Sequence, residues 1–358
     1  AASMDRGGLE YGGSDLASLI AQKRNIFRPR FWRMVRDILR FYREAPLALE
    51  TGQAETQSLG DYLSAHRYSK SFINDHLLPM GAAIWSTPVD TMMEYPLAAF
   101  VRFCQNHGLL QIKDRPQWRT VAGGSRQYVG RMIKEISGGV ILDSAIAQVG
   151  PNGKGGVFIE NRYGERTDYD HVVLACHGDQ ALALQANPAR AVRELLSAFQ
   201  YERNLAILHN DESLMPQTRK VWSSWNYLAE EHDGEQKVCV TYWMNRLQHL
   251  DEAQPLFVTL NPARAPREGS VIRSFLYDHP VFDAAAMDAQ KRLWSIQGMD
   301  NIWYCGSYFG YGFHEDGIQS GLAVAEALGG VRRPWNVENE SGRIHLGPVD
   351  TVQKEVAA

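Results

Sequence analysis

Apolar residues recur at helical spacing through most of the first third of the chain. The spacing predicts helices near residues 14–22, 29–44, 58–65, 69–80 and 92–107. In the second of these segments five apolar residues share one predicted face: Phe31, Val35, Ile38, Leu39 and Tyr42. Pro29 predicts the start of this helix and Pro46 predicts its end.

From residue 118 the pattern changes to short apolar runs separated by glycine-rich turns. Residues 118–121 predict a strand and 127–136 a helix, with the pair Gly123 and Gly124 as a turn between them. Residues 140–149 and 156–161 predict a β-hairpin around a turn at 150–155. The run DHVVLAC at 170–176 is typical of a strand buried on both faces of an α/β sheet.

The rest of the chain combines a β-rich stretch with a final strand and helix. After a predicted helix at 188–198, one antiparallel sheet is predicted from five short segments, at 204–209, 220–228, 238–244, 256–260 and 271–277. A helix follows at 283–295, then a buried strand at 301–306 and a helix at 316–328. The polar segment from 331 predicts a loosely held tail.

Length and composition restrict the class of protein. A chain of 358 residues that is 44% hydrophobic is long enough for two or three domains. It has no apolar run of about 18 residues and no secretory leader pattern, so we expect a cytoplasmic protein. The four cysteines contain no C-x-x-C pair, which disfavours a zinc site and a disulfide framework.

Charge is unevenly distributed although the net charge is only −4. Residues 23–43 contain eight basic residues and one acid, and the arginines of the predicted second helix form their own face. The helix is therefore either a solvated surface helix or a peripheral contact for anionic head groups or acidic substrates. A whole-chain pI of about 6.3 disfavours nucleic-acid binding.

The strongest local motif is the strand, glycine-rich loop and helix at 301–328. Unpaired N–H groups at such a helix start suit a phosphate or an electron-rich ring, although an ordinary tightly packed βα unit has the same pattern. Other motifs fail on spacing, because Lys154 does not complete a P-loop and neither G-x-S-x-G nor H-E-x-x-H occurs. Four aromatic residues of the β-rich stretch either line an apolar pocket or pack the sheet: Trp222, Trp225, Tyr242 and Trp243.

Three long segments resemble the flavin-containing amine oxidase superfamily in order and spacing. They are WRTVAGGSRQYVGRM at 118–132, DHVVLACHGDQAL at 170–182 and WYCGSYFGYGFHEDGIQSGLAVAEAL at 303–328. Further stretches, including GFHEDG at 312–317, resemble a bacterial subgroup described as predicted NAD/FAD-binding oxidoreductases. The resemblance covers roughly residues 9–330 and implies FAD as cofactor.

The resemblance also implies functional residues. The loop against the FAD pyrophosphate and ribityl chain matches Gly306 and Ser307, where the family usually has an acid in place of the serine, and the strand that meets the adenine matches Ile146. The backbone facing the flavin O2 and N1 matches Glu315, Asp316, Gly317, Ile318, Gln319 and Ser320. His314 takes the place of an aromatic-cage residue and is the predicted catalytic proton carrier. The predicted substrate-lining residues are Trp225, Tyr242, Tyr311 and Phe313.

The family begins with a βαβ unit carrying G-x-G-x-x-G, and this sequence contains no such motif. We therefore expect an α/β plus α+β fold with a partial FAD/NAD(P)-binding Rossmann-like domain, an open half-sheet and weak FAD binding. The predicted divisions are a helical substrate part (1–117), FAD-binding segments (118–186 and 296–330), a substrate-domain antiparallel sheet (187–295) and a tail (331–358).

The implied function is that of an FAD-dependent oxidoreductase, or a fragment of one, which transfers hydride from a substrate C–H to flavin. The basic helix, the aromatic sheet and the subgroup's association with fatty-acid-modifying methyltransferases favour a fatty-acyl substrate that is desaturated or isomerised. Two alternatives remain open: amine oxidation, and a non-catalytic module that binds lipid or a partner. We predict no metal site and no nucleic-acid partner.

Overall fold

The computed structural model describes residues 1–4, 7–13, 15–85, 89–111, 117–232 and 235–347. Its helices are α1 Leu16–Leu19, α2 Pro29–Glu50, α3 Leu59–Ala65, α4 Lys70–Phe72, α5 Leu78–Trp85, α6 Val89–Met93, α7 Leu97–Asn106, α8 Arg126–Glu135, α9 Gly178–Ala183, α10 Arg190–Leu196, α11 Met244–Gln248, α12 Ala284–Arg292 and α13 His314–Ala327. Its strands are β1 Ala2–Met4, β2 Leu9–Tyr11, β3 Ile146–Pro151, β4 Val157–Asn161, β5 Arg166–Tyr169, β6 Val172–Leu174, β7 Gln200–His209, β8 Trp225–His232, β9 Glu235–Trp243, β10 Phe257–Leu260, β11 Val271–Val281 and β12 Ile302–Tyr304.

The chain forms two compact units, and each is assembled from two segments. Unit 1 contains residues 1–138 and 202–279, and unit 2 contains 139–201 and 280–358. These boundaries differ from the predicted ones at several points. Residues 118–138 group with the helices and the large sheet, whereas 187–201 and 280–295 group with the α/β part.

Unit 1 is built around a seven-stranded sheet with the order β11-β7-β10-β9-β8-β1-β2. The five predicted strands are present, and β9 pairs antiparallel with both β8 and β10. The prediction of a purely antiparallel sheet was wrong, because β1 joins β8 in parallel, with Ala2 opposite Tyr227. Strands β1 and β2 have only three residues each, which is too short for a readable alternation of apolar and polar positions.

The long basic helix α2 packs one face into unit 1. Phe31, Met34 and Phe41 are fully buried, and the buried face continues to Ala45 and Ala48. The predicted end at Pro46 was therefore wrong, since packing on both sides of the proline outweighs the lost backbone hydrogen bond. Leu39, which was assigned to the apolar face, is 49% exposed on the arginine side.

The segment after α7 contains both a confirmed and a failed prediction. The helix expected at 127–136 is present as α8, yet all of its residues are exposed, among them Tyr128, Val129 and Met132. The strand expected at 118–121 is absent, because residues 117–121 are exposed and have no regular secondary structure. The amphipathic pattern predicted the helix correctly but did not predict its environment.

Unit 2 contains a three-stranded antiparallel sheet, β3-β4-β5, and a two-stranded parallel sheet, β12-β6. The hairpin turn at 150–155 is confirmed, and the Asn152 side chain accepts hydrogen bonds from the N–H groups of Lys154 and Gly156. The expected partial Rossmann-like sheet is also confirmed, because β12 and β6 pair only with each other in the described part of the chain. Val173, at the centre of β6, is exposed, so the strand is not buried on both faces.

The tail after α13 is bound to unit 2, which corrects the prediction of a loosely held segment up to residue 347. The guanidinium of Arg333 is 2% exposed and is paired with Glu326 at 2.7 Å. Ile344 is buried in the core of unit 2, and Arg343 pairs with Asp316. A polar composition concealed these contacts, because buried arginines that have carboxylate partners stabilise such a segment.

The Glu326 pairing predicts acid-dependent release of the tail. Hydrogen bonds from Arg333 and Arg332 lower the pKa of Glu326 from 4.5 to about 2, so its stabilising contribution is complete above pH 4.5 and is lost as the pH falls toward 2. We expect the protection factors of the amides of residues 331–347, corrected for the intrinsic pH dependence of exchange, to fall about tenfold or more over this range. Glu326→Gln should show low protection at every pH. The exposed Glu338→Gln should follow the wild type, and unchanged wild-type protection down to pH 2 would refute the pairing.

Candidate functional site

The candidate site lies in unit 2, where the parallel strands β6 and β12 end. Leu174 and Tyr304 are register partners, and Cys305 N donates to Leu174 O at 3.2 Å, so both chains leave the same edge of the sheet. Ligands of α/β proteins commonly bind at such a carboxyl edge. On the β6 side, Gly178 N donates to the Tyr201 hydroxyl at 2.9 Å, and His177 stacks on the Tyr201 ring.

Gly306 begins the loop after β12 and has no room for a side chain. A Cβ atom there would lie 2.8 Å from the Tyr308 ring and 3.1 Å from the Cys176 carbonyl oxygen. Gly306 N donates to Ser320 Oγ at 3.0 Å, and this hydroxyl is also within hydrogen-bond distance of the Gly306 and Gly317 carbonyl oxygens. Ser320 is buried, so its hydroxyl joins the strand end to α13.

The Asp316 side chain fixes the loop before α13 through hydrogen bonds. Its buried carboxylate accepts hydrogen bonds from Tyr311 N at 3.0 Å and Phe313 N at 2.8 Å. It also accepts from Arg343 Nε at 2.6 Å and from a terminal guanidinium nitrogen at 3.1 Å. The carboxylate is committed to these four donors, and Asp316 N itself donates to the Phe313 carbonyl oxygen at 3.1 Å, so Asp316 holds the loop rather than a cofactor.

Gln290 and Arg343 also position this loop, and neither was predicted from the sequence. Gln290 Nε2 donates to the Tyr308 and Gly310 carbonyl oxygens, and the Arg343 backbone N donates to Gln319 Oε1. Arg343 also lies over the Tyr311 ring, 5.2 Å from its centroid. Neither a lone glutamine in an alanine-rich helix nor a lone arginine in a polar tail is a signal that a sequence pattern can detect.

The space beside Gly317, between Ser307 and the first turn of α13, is open, and we call it the Gly317 groove. A Cβ atom on Gly317 would meet only Ser307 N, at 3.9 Å. The helix begins at His314, two residues earlier than predicted, so the N–H groups of His314 and Glu315 have no hydrogen-bond partner in the described part of the chain. His314, Glu315 and Ile318 are exposed at this end of the helix.

Buried polar groups near the strand ends also lack partners. The Tyr308 hydroxyl and Trp303 Nε1 have no hydrogen-bond partner among the described residues. Burial raises the pKa of Tyr308 well above its usual range, so it remains a phenol. Burial also raises the pKa of Cys305 to about 11 and raises that of Cys176, which makes thiolate chemistry unfavourable at this edge.

The structure brings most of the predicted site residues together in one element. The cofactor-binding set from Gly306 to Ser320, the predicted catalytic His314 and the lining residues Tyr311 and Phe313 all lie in the loop and first turns of α13. Ile146 is the first residue of β3, also in unit 2, and packs partly buried against the core.

The aromatic candidates of the large sheet lie in unit 1 and divide between its two faces. Trp225 and Tyr242 are opposite each other on β8 and β9, with ring centroids 5.4 Å apart in an edge-to-face arrangement. Trp222 and Trp243 are buried and pack with Phe257, which confirms the packing interpretation for these two. Burial raises the pKa of Tyr242 to about 12, so its hydroxyl stays protonated at neutral pH.

The group implied by the resemblance is FAD, and the residues of unit 2 fit its flavin end. The Gly317 groove is a cradle that a side chain would fill, and free N–H groups lie at its rim. No cluster of three His, Cys, Asp or Glu side chains in the described part of the chain could hold a metal ion.

Comparison with known proteins identifies the fold. No protein-family model matches the sequence, and neither does any curated protein. A CLA-producing fatty acid isomerase from P. acnes matches with a TM-score of 0.53 at 12% identity, over 85% of this chain and 74% of that chain. Putrescine oxidase bound to putrescine matches with a TM-score of 0.56 at 13% identity, over 89% and 78% of the two chains. Reduced UDP-galactopyranose mutase matches with a TM-score of 0.50 at 12% identity, over 83% and 75%.

This chain therefore shares its fold with putrescine oxidase and UDP-galactopyranose mutase, and this is the fold that the resemblance in the sequence implied.

Proposed function

We propose that this chain binds FAD through the loop and helix start at 306–320, weakly since the sequence contains no G-x-G-x-x-G unit, and acts as an oxidoreductase or isomerase on a fatty-acyl substrate. The single observation that carries the proposal is the open groove at Gly317, with the free N–H groups of His314 and Glu315 at its rim. A helix N-terminus in this position stabilises negative charge on an electron-rich ring. When bound, FAD supplies the acceptor for a hydride from a substrate C–H.

The residues of the chain have separate tasks in this proposal. The backbone N–H groups of Ser307, His314 and Glu315 orient the cofactor, while Asp316 and Ser320 hold the loop that presents them. His314 is the exposed imidazole at the rim and holds or moves a proton at one of its ring nitrogens during the reaction. Glu315 Oε1 accepts a hydrogen bond from Gln319 Nε2 at 2.9 Å, and we assign the proton transfer to the neighbouring imidazole of His314.

One observation favours an acyl chain over an amine. The matched fatty acid isomerase is an enzyme of this fold whose described activity concerns fatty acids. Putrescine oxidase supports amine oxidation as the second candidate.

The two substrate classes are distinguished by an anaerobic experiment on the FAD-loaded chain. We expect unsaturated fatty-acyl lipids to bleach the flavin or to return with a moved or added double bond, as detected by mass spectrometry, whereas putrescine and benzylamine leave the spectrum unchanged. His314→Gln should slow this reaction about 10²- to 10⁴-fold while retaining the flavin spectrum. Bleaching by amines alone, or no change with any lipid, would refute the acyl proposal.

A further inference from the structure

The outward face of α2 carries a stripe in which apolar and basic side chains alternate. Trp32, Arg36, Leu39, Arg43 and Leu47 follow one another at intervals of four, three, four and four residues, so they share one side of the helix. The three apolar members are 48%, 49% and 52% exposed. Soluble helices normally place only polar residues on this side.

The turn before α2 extends the stripe. Phe27 ends the 3-10 turn Lys23–Phe27 and is 84% exposed. The indole Nε1 of Trp32 donates to the Ile26 carbonyl oxygen at 2.7 Å, which fixes the turn against the first part of the helix. We call Phe27, Trp32, Arg33, Arg36, Leu39, Arg43 and Leu47 the basic strip.

The positive charge of this region is only partly neutralised. Three carboxylates pair with it: Asp75 with Arg30 at 2.6 Å, Asp37 with Arg36 at 3.1 Å and Glu44 with Arg40 at 2.9 Å. Among the described residues, the eight cations of residues 23–43 outnumber these three anions by five, and Arg43 shares Glu44 with Arg40 at 3.4 Å.

Some of these cations line a cavity. Arg33 has no ion-pair or hydrogen-bond partner among the residues that the structure describes. A cavity of about 480 Å³ opens beside the start of α2, and Arg28 and Arg33 are among the residues that line it. Arg28 also donates to the Gly8 carbonyl oxygen, which leaves its charge uncompensated while fixing its position.

We propose that the basic strip docks unit 1 on an anionic lipid bilayer surface. Arginines attract anionic head groups, and exposed Phe, Trp and Leu side chains gain free energy by entering the boundary between head groups and acyl chains. An acidic nucleic acid would leave the exposed leucines without apolar contacts. A lipid surface therefore fits the alternation of basic and apolar side chains better. In the described part of the chain, no helix is long and apolar enough to span a membrane.

The docking does not depend on the proposed flavin chemistry, and it is tested without FAD or substrate. The chain is mixed with vesicles of phosphatidylcholine alone or with vesicles that also contain about 30 mol% phosphatidylglycerol, which gives a moderately anionic surface. Bound protein is measured by flotation. We expect binding only to the anionic vesicles, and we expect it to weaken as salt is raised.

Three paired variants locate the contact. Arg33→Gln with Arg43→Gln should lower the partition coefficient about fivefold for each arginine removed. Phe27→Ser with Leu39→Ser should lower it about tenfold or more, because the apolar insertion is lost. Arg162→Gln with Arg193→Gln removes the same charge from exposed positions of unit 2 and should bind as the wild type does.

Apart from Leu39, the residues changed in these variants are four arginines and Phe27, which lies in an exposed turn. Circular dichroism should therefore report the wild-type fold for every variant. Failure of the wild type to bind anionic vesicles more strongly than neutral ones would overturn the proposal. So would equal binding of the wild type and either strip variant. Binding of an acidic protein without any binding to vesicles would also overturn it.

Discussion

Replacing Asp316 with alanine should lower the free energy of unfolding of unit 2 by about 3–5 kcal/mol, which is the expected cost of breaking a buried ion pair from one side. The carboxylate is fully buried, and the paired Arg343 side chain is only 15% exposed. The substitution would leave this guanidinium and the N–H groups of Tyr311 and Phe313 without their acceptor. Chemical denaturation, together with amide exchange over residues 306–347, measures the effect.

The neighbouring residue provides the control for this prediction. Glu315 has the same type of side chain one position earlier, but it is exposed, and its one side-chain hydrogen bond among the described residues is with Gln319. Glu315→Ala should therefore change the free energy of unfolding by no more than about 0.5 kcal/mol. If Asp316→Ala were as stable as Glu315→Ala, the Asp316 carboxylate would not be what holds the loop.

Replacing Gly317 with leucine should weaken FAD binding about tenfold to a hundredfold without unfolding the chain. The new side chain would occupy the groove beside Ser307 N, where only open space now meets a Cβ atom. A leucine is favoured over a glycine within a helix, so α13 itself should gain stability. Quenching of flavin fluorescence during titration with the protein measures the affinity.

Local patterns predicted the loop and helix of the site well. The buried strand at 301–306 and the helix at 316–328 correspond to β12 and α13, and the residues that the resemblance predicts to face the flavin lie on one element. The helix start was predicted two residues late, because His314 and Glu315 are polar and do not extend the apolar period. That difference matters, since it makes His314 the first residue of the helix and leaves its N–H group free.

Long-range contacts could not be predicted in the same way. Asp316 and Arg343 are 27 residues apart, and Gln290 reaches the Tyr308 carbonyl across 18 residues. Nothing in the local spacing of these polar residues indicates that they meet. Helix α8 is the opposite case, because its pattern predicts a buried face and its apolar residues are exposed. Periodicity predicts which side of an element is apolar, and it does not predict what covers that side.

The correction to the predicted faces of helix α2 changed the functional interpretation most. The sequence placed Leu39 among the buried residues, so the arginine face was expected to be purely basic. The structure places Trp32, Leu39 and Leu47 on that same face. A basic face with exposed apolar residues fits a lipid surface better than a simple solvated helix does.

The most direct test of the central claim is a flavin-fluorescence titration of three proteins: the wild type, Gly317→Leu and Gly321→Leu. Gly321 lies one helical turn further along α13, with open space around its Cβ position, so its leucine variant controls for the general effect of the substitution. We predict that the wild type and Gly321→Leu bind FAD with the same affinity and that Gly317→Leu binds it far more weakly. Absence of FAD binding by the wild type, or equal binding by all three proteins, would contradict it.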